Sequence, residues 1–326
     1  MLEVDLWKKR VLVMGGSYFI GRRVVEVLVE NNYEVYTLNR GTNNVFGEEV
    51  ISLKCDRNNH IEMKKALSKY YFDVVIDVSG LNKSQSEILY NSLNLKWIKK
   101  FIFLSSSAVY DVENNKTPFS EDTPLGRNKY WGDYGTNKIE AEEFYEKVFS
   151  KTNCDLIILR PPYVYGEYNY AQRESFIFEH LENNRPIIIP NKGESRLQFI
   201  YSTDLANIIV RLIESNTEEV CIFNVGNKEG VTIKEWINYY ERVVGKKGKF
   251  IEYDYKSKNI GERDFFPFFD YDNVLNVNRI KKIYSIETDF EKGLKNAYEW
   301  YCNNKKSIVF KEEVRRNEIE IVKKEI

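Results

Sequence analysis

Between a short continuous apolar run, Val11-Leu12-Val13-Met14, and a segment whose apolar residues Ile20, Val24, Val27 and Leu28 recur at helical spacing stands Gly15-Gly16-Ser17-Tyr18-Phe19-Ile20-Gly21. That order reads as strand, tight turn, helix. Glycines at such a turn permit unusual backbone angles and let a pyrophosphate approach closely, while the free N–H groups and positive end of the helix attract its charge. A dinucleotide is the natural ligand, and Gly15, Ser17, Tyr18, Phe19, Ile20 and Gly21 are its expected contacts. An ordinary tight turn is the bland alternative, so the surroundings decide.

Short β-rich runs recur between helical stretches, at Glu34 to Leu38, Val50 to Leu53, Asp73 to Val78, Phe101 to Leu104 and Leu156 to Leu159. This alternation predicts an α/β fold, a doubly wound parallel sheet (Rossmann-like) with helices on both faces. Val74-Val75-Ile76 and Ile157-Ile158-Leu159 are continuous apolar runs, as strands covered on both faces must be. Ligands bind at the carboxyl ends of such strands, which singles out Asp56, Ser79, Gly80, Ser106 and Pro161. After Gly166 the alternation breaks up; Leu205 to Ile213 reads as a helix and Val220 to Val225 as a further strand. A second, smaller, discontinuous substrate lobe follows. Residues 8–166 with 196–232 form the expected dinucleotide-binding domain, 167–195 with 233–303 the lobe, and 304–326 a charged, solvated helical tail.

At 326 residues the chain can bury a sizeable core. Lys+Arg 48 against Asp+Glu 49 leaves a net charge of -1, with none of the basic excess that tracks a phosphate backbone, so nucleic acid is not an expected partner. Cys55, Cys154, Cys221 and Cys302 lack paired spacing, and only His60 and His180 could join them as ligands, so reduced thiols and no metal are expected. No apolar run approaches the ~18 residues that span a bilayer, and the charged Met1 to Arg10 stretch runs straight into the first strand rather than into a signal core. A cytoplasmic protein with a small-molecule substrate, no membrane and a homodimeric assembly is the expectation.

The second strand ends in Asn39-Arg40-Gly41, where NAD sites present an acidic side chain to the adenosine ribose. A neutral amide beside a guanidinium leaves room for a 2′-phosphate and supplies a bidentate partner for it, which favours NADP over NAD. Further along, Tyr134 and Lys138 lie one helical turn apart on one face, so their side chains can share a ligand. A neighbouring ammonium favours the phenolate, and Tyr134 can then exchange a proton with a substrate hydroxyl or carbonyl while hydride moves to or from the nicotinamide. In a chain with 23 tyrosines that spacing also occurs by accident, at Tyr301 and Lys305. Only Tyr134 follows a strand ending in Ser105-Ser106-Ser107, which can aim a hydroxyl at the same substrate oxygen.

These residues resemble the extended short-chain dehydrogenase/reductases, the NAD-dependent epimerase/dehydratase family. The likeness covers residues 10 to 300 and rests on the glycine turn, Cys55-Asp56-Arg57, Phe103 to Tyr110, Tyr134-Gly135-Thr136-Asn137-Lys138, Arg160 to Gly166, Gln198 to Ala206 and Phe223-Asn224-Val225-Gly226. The resemblance implies Ser106, Tyr134 and Lys138 as catalytic residues, Asp56 against adenine, Ser79 and Gly80 along the cofactor channel and Pro161 near the nicotinamide. Lys138 would also hold the nicotinamide ribose, and Ser107, Arg196 and Arg263 would meet the substrate. Members that eliminate water carry an Asp-Glu pair directly after the catalytic hydroxyl; Ser107 and Ala108 stand there instead, which disfavours a 4,6-dehydratase. Tyr18 replaces the glycine usual in mid-turn, and the Arg-Pro-Gly-Asp stretch that often meets a nucleotide-sugar diphosphate gives way to Gly261-Glu262-Arg263-Asp264. The expected function is an NAD(P)-dependent epimerase or reductase at a sugar carbon of a nucleotide sugar. The alternatives are an NADPH-dependent carbonyl reductase of a non-nucleotide substrate and a non-catalytic RNA-associated relative.

Overall fold

A computed structural model describes residues 8–41, 45–217 and 220–325. Met1 to Trp7 and Ile326, which figured in the expectations above, lie outside the described residues. The strands are β1 (Arg10–Met14), β2 (Glu34–Asn39), β3 (Val50–Lys54), β4 (Val74–Asp77), β5 (Lys100–Leu104), β6 (Asp155–Arg160), β7 (Tyr163–Tyr165), β8 (Pro186–Pro190), β9 (Arg196–Leu197), β10 (Phe199–Tyr201), β11 (Val220–Asn224), β12 (Val231–Thr232) and β13 (Lys249–Tyr253). The helices are α1 (Phe19–Glu30), α2 (His60–Leu67), α3 (Lys83–Ser92), α4 (Gly132–Phe149), α5 (Glu174–Glu182), α6 (Ser202–Glu214), α7 (Ile233–Val244), α8 (Asn278–Lys281), α9 (Phe290–Asn304) and α10 (Glu312–Glu325).

Seven strands form one parallel sheet in the order β11-β6-β5-β4-β1-β2-β3. The order reverses between β1 and β4, which makes the carboxyl ends of those two strands the switch point where such sheets open a crevice. Side chains alternate across each strand, and both faces are covered. Val11 and Val13 of β1 join the core under α1 and α6, while Leu12 and Met14 join the core under α2, α3 and α4. That two-sided burial is why these strands read as unbroken apolar runs.

A second core draws on residues from Tyr163 to Tyr201 and from Val231 to Ile321, around Trp236, Phe199, Phe178 and Tyr240. Here β8 pairs in parallel with β13, and α5, α7 and α9 surround them. Two boundaries differ from those expected. Leu197, Phe199 and Tyr201, placed in the dinucleotide-binding domain on sequence, pack into this second core, whereas α6 and β11 do return to the large sheet. The C-terminal segment is helical as expected but is not a solvated tail: Val314 and Ile321 of α10 are buried in the second core. Their spacing, with Glu318 between them, puts all three on one face of a helix. No described helix is long and apolar enough to cross a membrane.

Candidate functional site

Gly15 adopts φ +86°, a left-handed conformation that a side chain would strain. A Cβ on Gly21 would stand 2.1 Å from the Gly15 carbonyl oxygen, so only glycine lets α1 approach the end of β1 this closely. Tyr18 caps α1 without a side-chain hydrogen bond, and no acidic residue occupies the first turn, so the helix end is left open to an anion. Above it lies a cleft of about 380 Å³ lined by Gly15, Ser17, Tyr18, Asn39, Arg40, Asp56 and Ser79 among the predicted contacts. Phe19 and Ile20 instead turn partly into the core under α1.

The β2 end carries no carboxylate. The Asn39 side-chain oxygen accepts from Gly41 N at 2.7 Å, and Arg40 reaches into the cleft beside it. The Asp56 carboxylate accepts from the backbone and side-chain amides of Asn58 at 3.0 and 3.1 Å. Asn58 in turn accepts from Gln85 at 2.9 Å. Asn58, Gln85 and Arg57 also line the cleft; Asn58 and Gln85 were not singled out on sequence, and Arg57 stood in the Cys55-Asp56-Arg57 motif without a role assigned to it. Arg57 is the most consequential. Its guanidinium donates to both Asp77 carboxylate oxygens, at 2.9 and 3.0 Å, and to Ser79 Oγ at 2.6 Å. Asp77 at the end of β4 is fully buried and also accepts from Tyr145 O–H at 3.1 Å. Burial opposes its charge, yet the Arg57 guanidinium holds its carboxyl below the ordinary value of 3.8.

Lys138 of α4 is buried, and its ammonium donates to the carbonyl oxygens of Gly80 (2.6 Å) and Leu104 (2.7 Å). Burial pulls it down to about 8, against the stabilising charge of Asp77. One turn earlier, 39 % of Tyr134 is open to solvent. Desolvation by its surroundings raises the phenol above 10.0, and a hydrogen bond with the Ser106 hydroxyl and the charge of Arg173 oppose that rise. The expectation that Lys138 itself draws the phenol down is therefore not met. Its ammonium is committed to two strand-end carbonyls, and Ser106 and Arg173 are the groups acting on Tyr134.

Ser106 caps the short turn Ser107–Val109, accepting from Ala108 N at 3.2 Å. Ser105 and Ser107 are buried, and Ser107 N–H donates to the Pro161 carbonyl at 2.8 Å; Ser106 is the hydroxyl of the run that meets the phenol. An aromatic wall from the second core closes this side: Trp131 lies 5.7 Å from Tyr134 and 4.8 Å from Phe269, and donates to Tyr271 O–H at 2.7 Å. Arg263 stands in the same wall, over Phe269. Arg196 does not join it; its guanidinium donates to the Gly230 carbonyl because β9 pairs with β12 and aims the side chain along that ribbon. Among the described residues no group of three or more His, Cys, Asp or Glu could hold a metal ion.

Beside Arg173 the carboxyl of Glu174 is buried, with one oxygen accepting from Asn169 at 2.6 Å and the other lacking a partner. Burial pushes it up to about 7, against Arg173 and Asn169. A carboxyl raised in the folded state binds its proton more tightly than in the unfolded chain. Its stabilising contribution is complete below 4.5 and is lost as pH rises towards 7. Glu174→Gln is thus expected to be more stable than the parent at pH 8 by up to roughly 3 kcal/mol, with the difference closing at acid pH. Urea midpoints at pH 5 and pH 8 check this, and a pH-independent difference would contradict it.

A doubly wound sheet with a glycine turn and an open helix end at its switch point defines a dinucleotide-fold protein. The chain belongs to the NAD dependent epimerase/dehydratase family, an enzyme family of the extended short-chain type, whose model matches residues 11–226. An Arabidopsis thaliana protein, "Chloroplast stem-loop binding protein of 41 kDa b, chloroplastic", is 26% identical over 311 residues, covering 89% of this chain and 79% of that protein. The dTDP-D-glucose 4,6-dehydratase of Mus musculus is 24% identical, covering 91% and 89%. Among solved structures, the UDP-glucose 4-epimerase of Thermotoga maritima with UDP-glucose superposes with a TM-score of 0.75 at 20% identity, covering 90% of this chain and 99% of the other. The Thermus thermophilus UDP-glucose 4-epimerase complex with NAD gives 0.73 at 18%, covering 90% and 99%.

Proposed function

We propose that this protein is an NAD(P)-dependent enzyme that oxidises and reduces a sugar carbon of a nucleotide sugar, with Tyr134 as the proton-transfer group. The observation that carries this is Tyr134, partly exposed, with its phenol against the Ser106 hydroxyl and one helical turn from Lys138. The dinucleotide is supported by the Gly15 and Gly21 geometry, the open end of α1 and the cleft lined by Asp56 and Ser79, with Gly80 and Pro161 proposed on the resemblance alone. When bound, its nicotinamide supplies a hydride acceptor and donor. As the phenolate, which the positive nicotinamide ring of a bound dinucleotide would favour against the raised free-enzyme value, Tyr134 would take the proton of the substrate hydroxyl as that carbon is oxidised, and as the phenol it would return it on reduction; Ser106 would hold the same oxygen. The Lys138 ammonium fixes the Gly80 and Leu104 carbonyls at the strand ends, and it would have to exchange one of them to hold the ribose of a bound dinucleotide. Arg263 offers a charge to the substrate phosphates.

Ser107 and Ala108 are buried and carry no acid or base, which favours epimerisation or reduction over loss of water. UDP-sugar epimerases among the similar structures support a nucleotide sugar as the substrate class. Identifying the nucleotide that copurifies, then screening UDP- and dTDP-sugars for epimer formation and for absorbance change at the reduced nicotinamide band, tests the reading. No response to any nucleotide sugar would sink it and favour a carbonyl reductase of another substrate.

The coenzyme reading is NADP(H), because Arg40 enters the cleft at a β2 end without a carboxylate. Arg40→Ser is expected to weaken NADP+ about tenfold or more, the loss of one charge-assisted pair, while NAD+ changes less than twofold. Equal losses for both coenzymes would show Arg40 stacking on adenine instead. A second reading, RNA association, is favoured by Tyr18 in the turn and by the Arabidopsis relative's name. Salt-dependent RNA binding without any nicotinamide absorbance change would reverse the ranking.

A further inference from the structure

Two guanidiniums stand close enough in the aromatic wall for the charge of Arg173 to act on Arg263, with the Glu174 carboxyl beside the first and Glu262 near the second. Arg173, just before α5, lies over Tyr163 with Cζ 5.5 Å from the ring centre. Arg263, in the turn Glu262–Asp264, lies over Phe269 at 5.2 Å and donates to the Pro267 carbonyl. Phe269 N donates to the Tyr163 hydroxyl at 3.2 Å, so both arginines flank one phenol, and the charge of Arg173 also reaches Tyr134. Among the described residues neither guanidinium has an ion-pair partner, and Arg263 Nε is buried without a hydrogen bond. Like charges in a desolvated wall repel, and each segment must be held in place from outside.

The C-terminal segment grips both. Val309 N donates to the Tyr170 carbonyl at 3.0 Å and pairs with Ala171 as a parallel bridge; Lys311 N donates to Gln172 Oε1 at 2.9 Å. Those contacts fix the residues that lead into Arg173. Asn317 Nδ2 then donates to the Asp264 carbonyl at 3.0 Å, which fixes the turn that carries Arg263. The helix making this second contact is itself anchored: Glu318 lies between His180 Nε2 (2.5 Å) and Arg185 Nη2 (2.9 Å), with Val314 and Ile321 buried on either side.

We propose that residues 308–325 form a positioning strap that holds Arg173 and Arg263 together as a two-guanidinium site for the anionic part of the substrate. This rests on the reading of a nucleotide-linked substrate, but inorganic pyrophosphate is a probe that does not require it. Val309→Pro removes the N–H that grips Tyr170 at a residue 66 % exposed, and Ile308 before it is already extended (φ -75°, ψ 131°), as a residue preceding proline must be. Asn317→Ala removes the grip on Asp264, and Val309→Leu keeps the N–H as a control.

With the dinucleotide site saturated by NADP+, calorimetry is expected to give a pyrophosphate dissociation constant about tenfold weaker in Val309→Pro and in Asn317→Ala, with Val309→Leu matching the parent. NADP+ affinity should stay within twofold in all three, which a general loosening of the fold would not allow. Unchanged pyrophosphate binding in both lesions, or no measurable binding by the parent, overturns the proposal. A parent that binds pyrophosphate through the strap yet turns over no nucleotide sugar leaves the strap standing and sinks the substrate reading.

Discussion

Tyr134→Phe is expected to lower turnover by about 10²- to 10⁴-fold, the usual worth of a positioned proton donor, while dinucleotide affinity stays near that of the parent. The separation follows from where the hydroxyl sits. It meets Ser106, whereas the cleft that takes the dinucleotide is lined by Gly15, Ser17, Asn39, Arg40, Asp56 and Ser79. The ring itself is kept by phenylalanine, so its contact with Trp131 survives. Single-turnover measurement of hydride transfer, with a parallel titration of NADP+ by intrinsic fluorescence, reads both quantities. Activity within threefold of the parent would remove Tyr134 from the chemistry, and lost coenzyme binding would make it a structural residue. The pH dependence carries a second check. Desolvation raises the free-enzyme phenol, so the basic limb of turnover should move to higher pH in Ser106→Ala, which removes a group that draws the phenol down.

The parts of this site that were legible before the structure are those written locally. A strand covered on both faces reads as an unbroken apolar run, and the glycine turn follows it directly; β1, α1 and the first cofactor contacts came from one continuous stretch, Val11 to Leu28. Tyr134 and Lys138 share a helix, so their common face needed only the helical period. What was not legible depends on neighbours in space. Arg57 meets Asp77 because the loop after the edge strand β3 returns across the carboxyl ends of β2 and β1 to that of β4, and nothing in the spacing of the two residues announces the pair. The orientation of Lys138 was misjudged for the same reason: the carbonyls that capture it come from the ends of β4 and β5. The C-terminal helix is a different failure. Val314, Glu318 and Ile321 form an apolar-and-acid stripe at helical spacing, but charge on the remaining positions masked it, and the partners of Glu318, His180 and Arg185, lie far back in the chain.

The largest effect on stability is expected from Asp77→Ala, at about 3–5 kcal/mol, because it strips the counter-charge from a buried guanidinium instead of removing an ion pair whole. Asp77 is fully buried and bonded to both terminal nitrogens of Arg57 and to Tyr145, and its charge also supports Lys138. Without it, two cations would remain at the end of β4 with no anion between them. The Lys138 ammonium, already drawn down to about 8 by burial, should fall further, and Arg57 should release Ser79 and so disturb the cofactor cleft. The sign of the acid dependence follows from the depressed Asp77 carboxyl. Its contribution is complete above 3.8 and is lost as pH falls through the lower folded value, so the parent should lose stability in acid that Asp77→Ala lacks already at neutral pH. Asp77→Asn, which keeps the shape and one acceptor, should cost less. Urea unfolding at pH 7 and at pH 3 measures both, and an Asp77→Ala midpoint within 1 kcal/mol of the parent at pH 7, roughly the size of an ordinary surface change, would mean that water screens this pair and that Arg57 is held by other contacts.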